Sequence, residues 1–539
     1  MKRNIFTVII GLFFIVLSIT AAGAATQPTY NTFTQIGAGG FGDSANSYSW
    51  SVYWFKGNLY VGTNRHHLHS MYEAISYMPG LPFSIDFFPD YLKPDPPPST
   101  NWFTPEWADA FQGEIWRYTK NRKWQKVHQS GTFTQQNGDV VMHMPVAYGY
   151  RALEEFDGYL YACGIGTWMP PVANNTILRS ATGDPGTWED VSGVIAGTQN
   201  IRAIAKWRDK LYVAASVSGK AIVFESAPQN QGWWKQVSTA GFGTPNNSEI
   251  YYLAVFNDHL YASTVNLVTG FEVWKTKGED DDSNPGKYVW QRVIYNGFGD
   301  TWNQYGMTMA AFKDYLYVGT AVGIGMVMKK NAETGQDEVV GTRPLEIIRI
   351  DKNDKAQLIV GALKASDPIT KDDGTSYPRV PLSRMGAGFN NPFNVYAWNM
   401  NVYDKCLYVG TLDLSVFVLG ILRENPGFIA SLLEMFGVDV PKEIETALDN
   451  SRLIPAVTNL LMKKYGGGDL WRSCNGVTWA AVTLNGFGNP HNYGIREVIP
   501  VKEAGKDTAL AIGTANPFTG REKGGCEVWL KGKLPKKCF

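Results

Sequence analysis

The chain has 539 residues, 49 of them basic and 49 acidic, and so carries no net charge. That balance supplies no field to gather nucleic acid or an anionic membrane surface, and neither is expected as a partner. Five cysteines are too few for a disulfide framework and their odd number leaves one over; no Cys-x-x-Cys-His occurs, which excludes attached c-type haem. Cys526 and Cys538 are close in sequence, but Cys526 opens an expected strand and Cys538 follows its far end, so no bridge is assigned between them.

Residues 1–25 read as a secretory signal: Lys2 and Arg3, an apolar stretch from Ile5 to Ile19, then Ala22-Gly23-Ala24 as a small-residue cleavage site. The apolar core is shorter than the roughly 20 residues a spanning helix needs. No cysteine stands at the cleavage point to carry a lipid. A periplasmic or extracellular protein is therefore expected, without a spanning segment in the mature chain.

From there one phrase governs the sequence. An apolar run, a tight polar turn and then Leu-Tyr-Val-Gly-Thr or a close variant recur with leucines at Leu59, Leu160, Leu211, Leu260, Leu316, Leu407 and Leu510. Spacings near 50 residues suit β-propeller blades better than helical repeats. The fourth unit shows its strands most cleanly: Ile250 to Phe256, a turn at Asn257-Asp258-His259, Leu260 to Thr264, Phe271 to Trp274, and Trp290 to Val293. The seventh lacks a fourth strand, whereas the segment Phe33-Thr34-Gln35-Ile36 has no partner. The expected fold is all-β, a single seven-bladed propeller over residues 26–539, with the amino-terminal strand completing the last blade and hiding its edge.

Long insertions fall in loops that blade topology places on one face. Residues 64–112 are aromatic and Pro-rich, holding Phe83, Phe87, Phe88, Tyr91, Trp102, Phe103 and Trp107. Shorter ones run from Lys329 to Arg343 and from Ala362 to Gly388. Residues 414–468 open with the apolar Val416 to Leu422 and then carry helical periodicity in Pro426 to Phe436, Pro441 to Leu448 and Arg452 to Lys464. Such an insertion is either a lid, a partner surface or packing, and the pattern leaves all three open.

Two turns, Ser473-Cys474-Asn475-Gly476-Val477-Thr478-Trp479 and, more loosely, Ser180 through Gly186-Thr187-Trp188, resemble the Asp-box turn of sialidase-like propellers. In that superfamily the turn lies away from the ligand face, so the resemblance implies fold and no activity. The family's Arg-Ile-Pro motif is absent, and seven blades depart from its six.

Asn46, Asn247, Asn303, Asn394 and Asn492 each follow a Gly-Phe-Gly-Asp-type phrase and are expected to cap turns. Four residues beyond that point, the seven inner strands carry Trp50, Arg151, Arg202, Tyr251, Met307, Trp398 and Arg496. A guanidinium in a channel-lining strand needs an anion. Arg151, Arg202 and Arg496 either clamp a ligand's carboxylate, sulfate or phosphate, with Tyr251, Trp50 and Trp398 as an apolar wall, or pair with Glu154, Glu155, Glu249 or Glu497. His66, His67, His69, His143 and His491 fall on neighbouring blades, as a candidate copper or zinc site, or, for His143 and His491, as ligand contacts or a general base. No nucleophile elbow, zincin, Walker or dinucleotide motif occurs. The leading reading is an exported binding or scaffold propeller for an anionic small molecule, glycan or protein partner. The alternatives are a polysaccharide-active hydrolase or lyase, or a copper or zinc protein built on the histidine sector.

Overall fold

The computed structural model describes residues 31–70, 95–97, 99, 101, 103–166, 175–323, 327–330, 337–341, 343–361, 369–370, 376–377, 379–418, 458–459, 462–463 and 465–535. The expected signal segment, Phe83, Phe87, Phe88, Tyr91, Trp102, Cys538 and the expected helices Pro426 to Phe436 and Pro441 to Leu448 lie outside these residues.

The described chain is all-β, with few and short helices, and its order is that of a β-propeller-like fold. Each Leu-Tyr-Val-Gly-Thr phrase forms the second strand of an antiparallel four-stranded set. The first set is Asn46–Phe55, Asn58–Arg65, Glu114–Tyr118 and Trp124–Gln129. The others repeat it, with inner strands Gly149–Phe156, Gln199–Trp207, Glu249–Phe256, Tyr305–Phe312, Asn394–Tyr403 and Gly494–Glu503. In the last set the outer position is taken by Phe33–Gly37, which pairs with Val528–Gly532, Phe33 opposite Lys531. In the fourth set the outer strands sit slightly later than the sequence suggests, at Val273–Thr276 and Gln291–Ile294.

The repeated phrase is explained by what flanks it. Its Leu, Tyr and Val are buried on both faces because neighbouring sets stack, as Leu59, Tyr60 and Val61 show. Its glycine is where the next set's inner strand approaches. A Cβ on Gly62 would stand 2.5 Å from the Tyr150 carbonyl oxygen, on Gly410 2.5 Å from that of Ile495, and on Gly513 2.7 Å from Ser49 Cβ. The last of these joins the final set to the first, as does the Tyr48–Ala515 bridge. Apolar clusters fill the junctions: Tyr60, Ile115, Tyr150 and Leu160 in one, Val52, Leu59, Val501 and Leu530 in another.

A second repeat ties each turn to its own set. Asn46, Asn247, Asn303, Asn394 and Asn492 donate to the carbonyl six residues back, at 2.9–3.1 Å, as turn caps should. Each also donates to a buried carboxylate at the start of the third strand or one residue before it: Glu114, Glu272, Glu346, Asp469 or Glu527, at 2.7–2.9 Å. The turns place Phe41, Phe242, Phe298, Phe389 and Phe487 at φ of 57–66°, a costly conformation for a bulky residue. Stacking offsets that cost: Phe242 lies 5.2 Å from Trp274, Phe389 4.7 Å from Trp471 and Phe487 4.9 Å from Trp529.

Two further features were not legible in the sequence. A hairpin of Thr132–Asn137 and Val140–Pro145 stands between the first and second sets. Cys406 and Cys474 form a disulfide beside the Leu407–Ser473 pair, while Cys163 and Cys526 are free and buried. The Asp-box-like turns are closed by side chains: Ser473 Oγ accepts from Gly476 N at 2.9 Å, and Asn475 Oδ1 from Thr478 N at 2.7 Å. Val416 and Phe417, at the root of the second large insertion, are buried, Phe417 lying 5.5 Å from both Phe518 and Tyr493.

Candidate functional site

The aligned inner-strand position has one structural identity: it is a β-bulge. Pairing with the second strand skips Trp50, Arg151, Tyr251, Met307, Trp398 and Arg496, and Arg202 lies inside the irregularity between Gln199 and Ala203. A bulge re-aims the unpaired side chain. Here it turns residues from separate sets onto one another.

Arg151 is the centre of that contact. Its guanidinium lies 5.2 Å from the Trp50 ring and 4.9 Å from the Tyr251 ring, and its Nη2 donates to Tyr251 Oη at 2.5 Å. Arg202 approaches the Tyr251 ring at 4.7 Å. Arg496 lies 5.5 Å from Trp398. Tyr305 packs edge-on against Tyr251 at 5.5 Å.

The three arginines differ in what neutralises them. Arg202 Nε donates to Glu249, which also accepts from Asn200 at 3.0 Å. Arg496 Nη1 pairs with Glu497 at 2.8 Å, and Asn399 supports that carboxylate at 3.2 Å. Arg151 pairs with no carboxylate among the described residues. Burial pulls its guanidinium down to about 9, and repulsion from Arg202 and Arg496 works the same way, against Tyr251 and Glu249. Burial also lifts Glu497 to about 8, against the attraction of Arg496 and Arg151. Glu154 and Glu155 turn elsewhere, accepting from Tyr53 at 2.8 Å and pairing with Lys206 at 3.2 Å. Arg202 and Glu249 have side chains each 17% exposed, and Tyr251 and Tyr305 are also only partly buried; Trp50, Trp398 and Met307 are buried.

The histidines do not converge. His66 sits in a left-handed turn at φ 47° with its ring 5.2 Å from Phe111. That turn throws His67 the other way, onto Tyr48 at 4.2 Å and Trp50 at 6.2 Å. Burial holds His67 neutral down to about 3, with Arg151 and Arg496 adding to the effect. His69 is buried within one turn of His66. His143 is on the extra hairpin, bonded to Thr134 Oγ1 at 3.2 Å, and His491 packs on Phe518 at 4.9 Å. Among the described residues no three His, Cys, Asp or Glu side chains form a metal-ligand group. The structure therefore joins Trp50, Arg151, Arg202 and Tyr251, with Trp398 and Arg496 beside them, and leaves His143 and His491 apart. Glu249 and Glu497 pair with Arg202 and Arg496, as the pairing alternative expected for two of the three arginines, and the structure adds Tyr305 and brings His67, a metal candidate in the sequence, beside them.

No protein-family model matches the chain, and comparison with curated proteins finds no match. Among solved structures it is similar to an α-L-arabinanase of Penicillium chrysogenum complexed with arabinobiose, at 12% identity and a TM-score of 0.34, covering 70% of this chain and 92% of that one. A nidogen/laminin complex is similar at 9% identity and 0.30, covering 58% and 79%. A GH43_1 enzyme from Xanthomonas citri complexed with xylose is similar at 10% and 0.28, covering 65% and 93%. Likeness of this size assigns no activity. Among the described residues no helix is long and apolar enough to cross a membrane.

Proposed function

We propose that the chain is an exported seven-bladed β-propeller that binds an anionic small molecule or glycan at the ring of bulged side chains. Stacked four-stranded sets joined last to first support the closed ring. The Cys406–Cys474 disulfide supports an oxidising compartment. One observation carries the binding reading: Arg151 is buried on aromatic faces and, among the described residues, pairs with no carboxylate. A ligand carboxylate or sulfate is the missing counter-charge, and the Tyr251 and Tyr305 rings give a sugar ring a surface to lie on.

Titration calorimetry with anionic oligosaccharides tests this. Arg151→Met is expected to weaken binding by roughly 10- to 100-fold, the worth of a hydrogen bond to a charged group. Equal affinity in the variant and the wild type contradicts the reading. A second reading, hydrolysis of a polysaccharide, is favoured by Glu497, a carboxyl in the same cluster that burial raises above the ordinary range against the pull of Arg496, the direction a general acid needs. In that case Glu497→Gln abolishes the release of saturated sugars, and an unchanged rate ends the reading.

A further inference from the structure

We infer that the bulge ring catalyses as well as binds: Tyr251 is the acid–base residue for β-elimination in a 4-linked uronate whose carboxylate is held by Arg151 and Arg202. The inference rests on the anion-binding reading of this site and adds a reaction to it.

Elimination beside a carboxylate asks for two groups within reach of each other. One neutralises the carboxylate, so that the neighbouring C–H becomes acidic; the other is a base that takes the proton. The cluster holds both. Arg151 Nη2 donates to Tyr251 Oη at 2.5 Å, and the Arg151 and Arg202 guanidiniums stand 4.9 and 4.7 Å from the same phenol ring. The two Nη groups of Arg202 make no hydrogen bond among the described residues, its link to Glu249 being through Nε. The Arg202 side chain is 17% exposed, which leaves those groups available to a substrate carboxylate.

The charges around the phenol favour its ionised form. Burial works to raise the Tyr251 hydroxyl, Glu249 adds to that, and Arg151, Arg202 and Arg496 together outweigh both, leaving it below the ordinary tyrosine range. A tyrosine held only for packing has no need of cations on its ring and its oxygen.

The step balances without a cofactor or water. The Tyr251 phenolate takes the proton from C5 of the uronate; that electron pair becomes the C4=C5 double bond as the C4–O4 bond breaks. The phenol then returns the proton to O4, which leaves as the anomeric hydroxyl of the departing sugar, regenerating the phenolate. A single group that removes one proton and delivers it to O4 requires C5–H and C4–O4 on the same face of the ring. Glucuronate and mannuronate have that arrangement; galacturonate does not. The substrate class is therefore a 4-linked gluco- or manno-configured uronate polymer.

The test uses the mature full-length protein with glucuronan, mannuronate-rich alginate and polygalacturonate, following binding by calorimetry and product by the ultraviolet absorbance and mass of a 4,5-unsaturated uronate. The wild type is expected to bind and cleave a gluco- or manno-configured polymer, with a rate that rises with pH along a limb below the ordinary tyrosine range. Tyr251→Phe keeps the ring under both cations and is expected to retain binding and melting temperature while losing roughly 100- to 10,000-fold in rate. Arg151→Lys, which keeps the charge, is expected to retain more activity than Arg151→Met. A polymer bound but left intact overturns the elimination and leaves the binding reading standing; no polymer bound overturns both. Saturated non-reducing ends, preferential cleavage of polygalacturonate, or full activity in Tyr251→Phe each overturn the assignment of Tyr251.

Discussion

Arg151 and Arg202 occupy the same bulge in consecutive sets and touch the same tyrosine, yet among the described residues only Arg202 forms an ion pair with a carboxylate. Opposite outcomes are expected from removing charge at the two places. Glu249→Gln strands the Arg202 guanidinium and should destabilise by about 3 kcal/mol, read by chemical denaturation. Arg151→Met removes a buried cation that no carboxylate among the described residues pairs with and should raise the ligand-free unfolding free energy, by on the order of 1 kcal/mol, while it impairs binding. The shared position was legible in the sequence because in six of the seven sets it stands at a fixed offset before the Leu-Tyr-Val-Gly-Thr phrase and, in five of the seven, after a Gly-Phe-Gly-type turn. Which arginine has a partner was not legible: Glu249 neutralises an arginine of the preceding set, and that depends on how sets stack. The placing of the histidines was not legible for a similar reason, since His66 and His67, adjacent in sequence about one left-handed residue, pack on different rings, Phe111 and Tyr48.

At the scale of the element, the roots of the second large insertion hold a buried acidic pair. Asp413 ends one strand and Asp469 precedes the next; Asn391 donates to Asp413 at 2.8 Å and Asn394 to Asp469 at 2.7 Å. The first set places Arg65 at the position of Asp413, where it lies 3.4 Å from Glu114. In the sixth set a carboxylate stands there instead. Burial lifts Asp469 to about 7, and burial with repulsion from Asp469 lifts Asp413 well above the usual range. Both folded values exceed the unfolded ones, so the folded state binds the extra protons. Stability is expected to fall as pH rises from near 4 to 7 and to stay reduced above that. Asp469→Asn, which keeps an acceptor for Asn394, should flatten that slope and raise stability at pH 8, as melts across the pH range will show; an unchanged slope rejects the account. The repeat of asparagine caps was readable from the sequence, but their second bond to the carboxylates at the third strands was not, because insertions of variable length separate the partners. The hairpin carrying His143 belongs to no repeat and left no periodic signal.

For the whole molecule, stability depends on how the sets are closed and held. Deleting the chain through Gly37 uncovers the edge of Val528–Gly532, which now pairs with Phe33–Gly37. An exposed edge strand invites pairing between molecules, so light scattering of the truncated protein should show oligomers where the full chain is monodisperse. The Cys406–Cys474 bridge spans 68 residues; the chain-entropy model assigns it roughly 4 kcal/mol, to be read from the denaturation midpoints of the oxidised and reduced protein. At this scale the sequence was most informative, because Leu-Tyr-Val-Gly-Thr encodes a strand buried on both faces and a glycine where the next set approaches. The central claim is narrower: an anion completes Arg151. A crystal structure of the mature protein with a bound glucuronate oligosaccharide tests it most directly. The expected result places the sugar carboxylate within hydrogen-bonding distance of Arg151 and Arg202 beside Tyr251; a sugar seated elsewhere, or Arg151 paired with a carboxylate of its own chain, contradicts it.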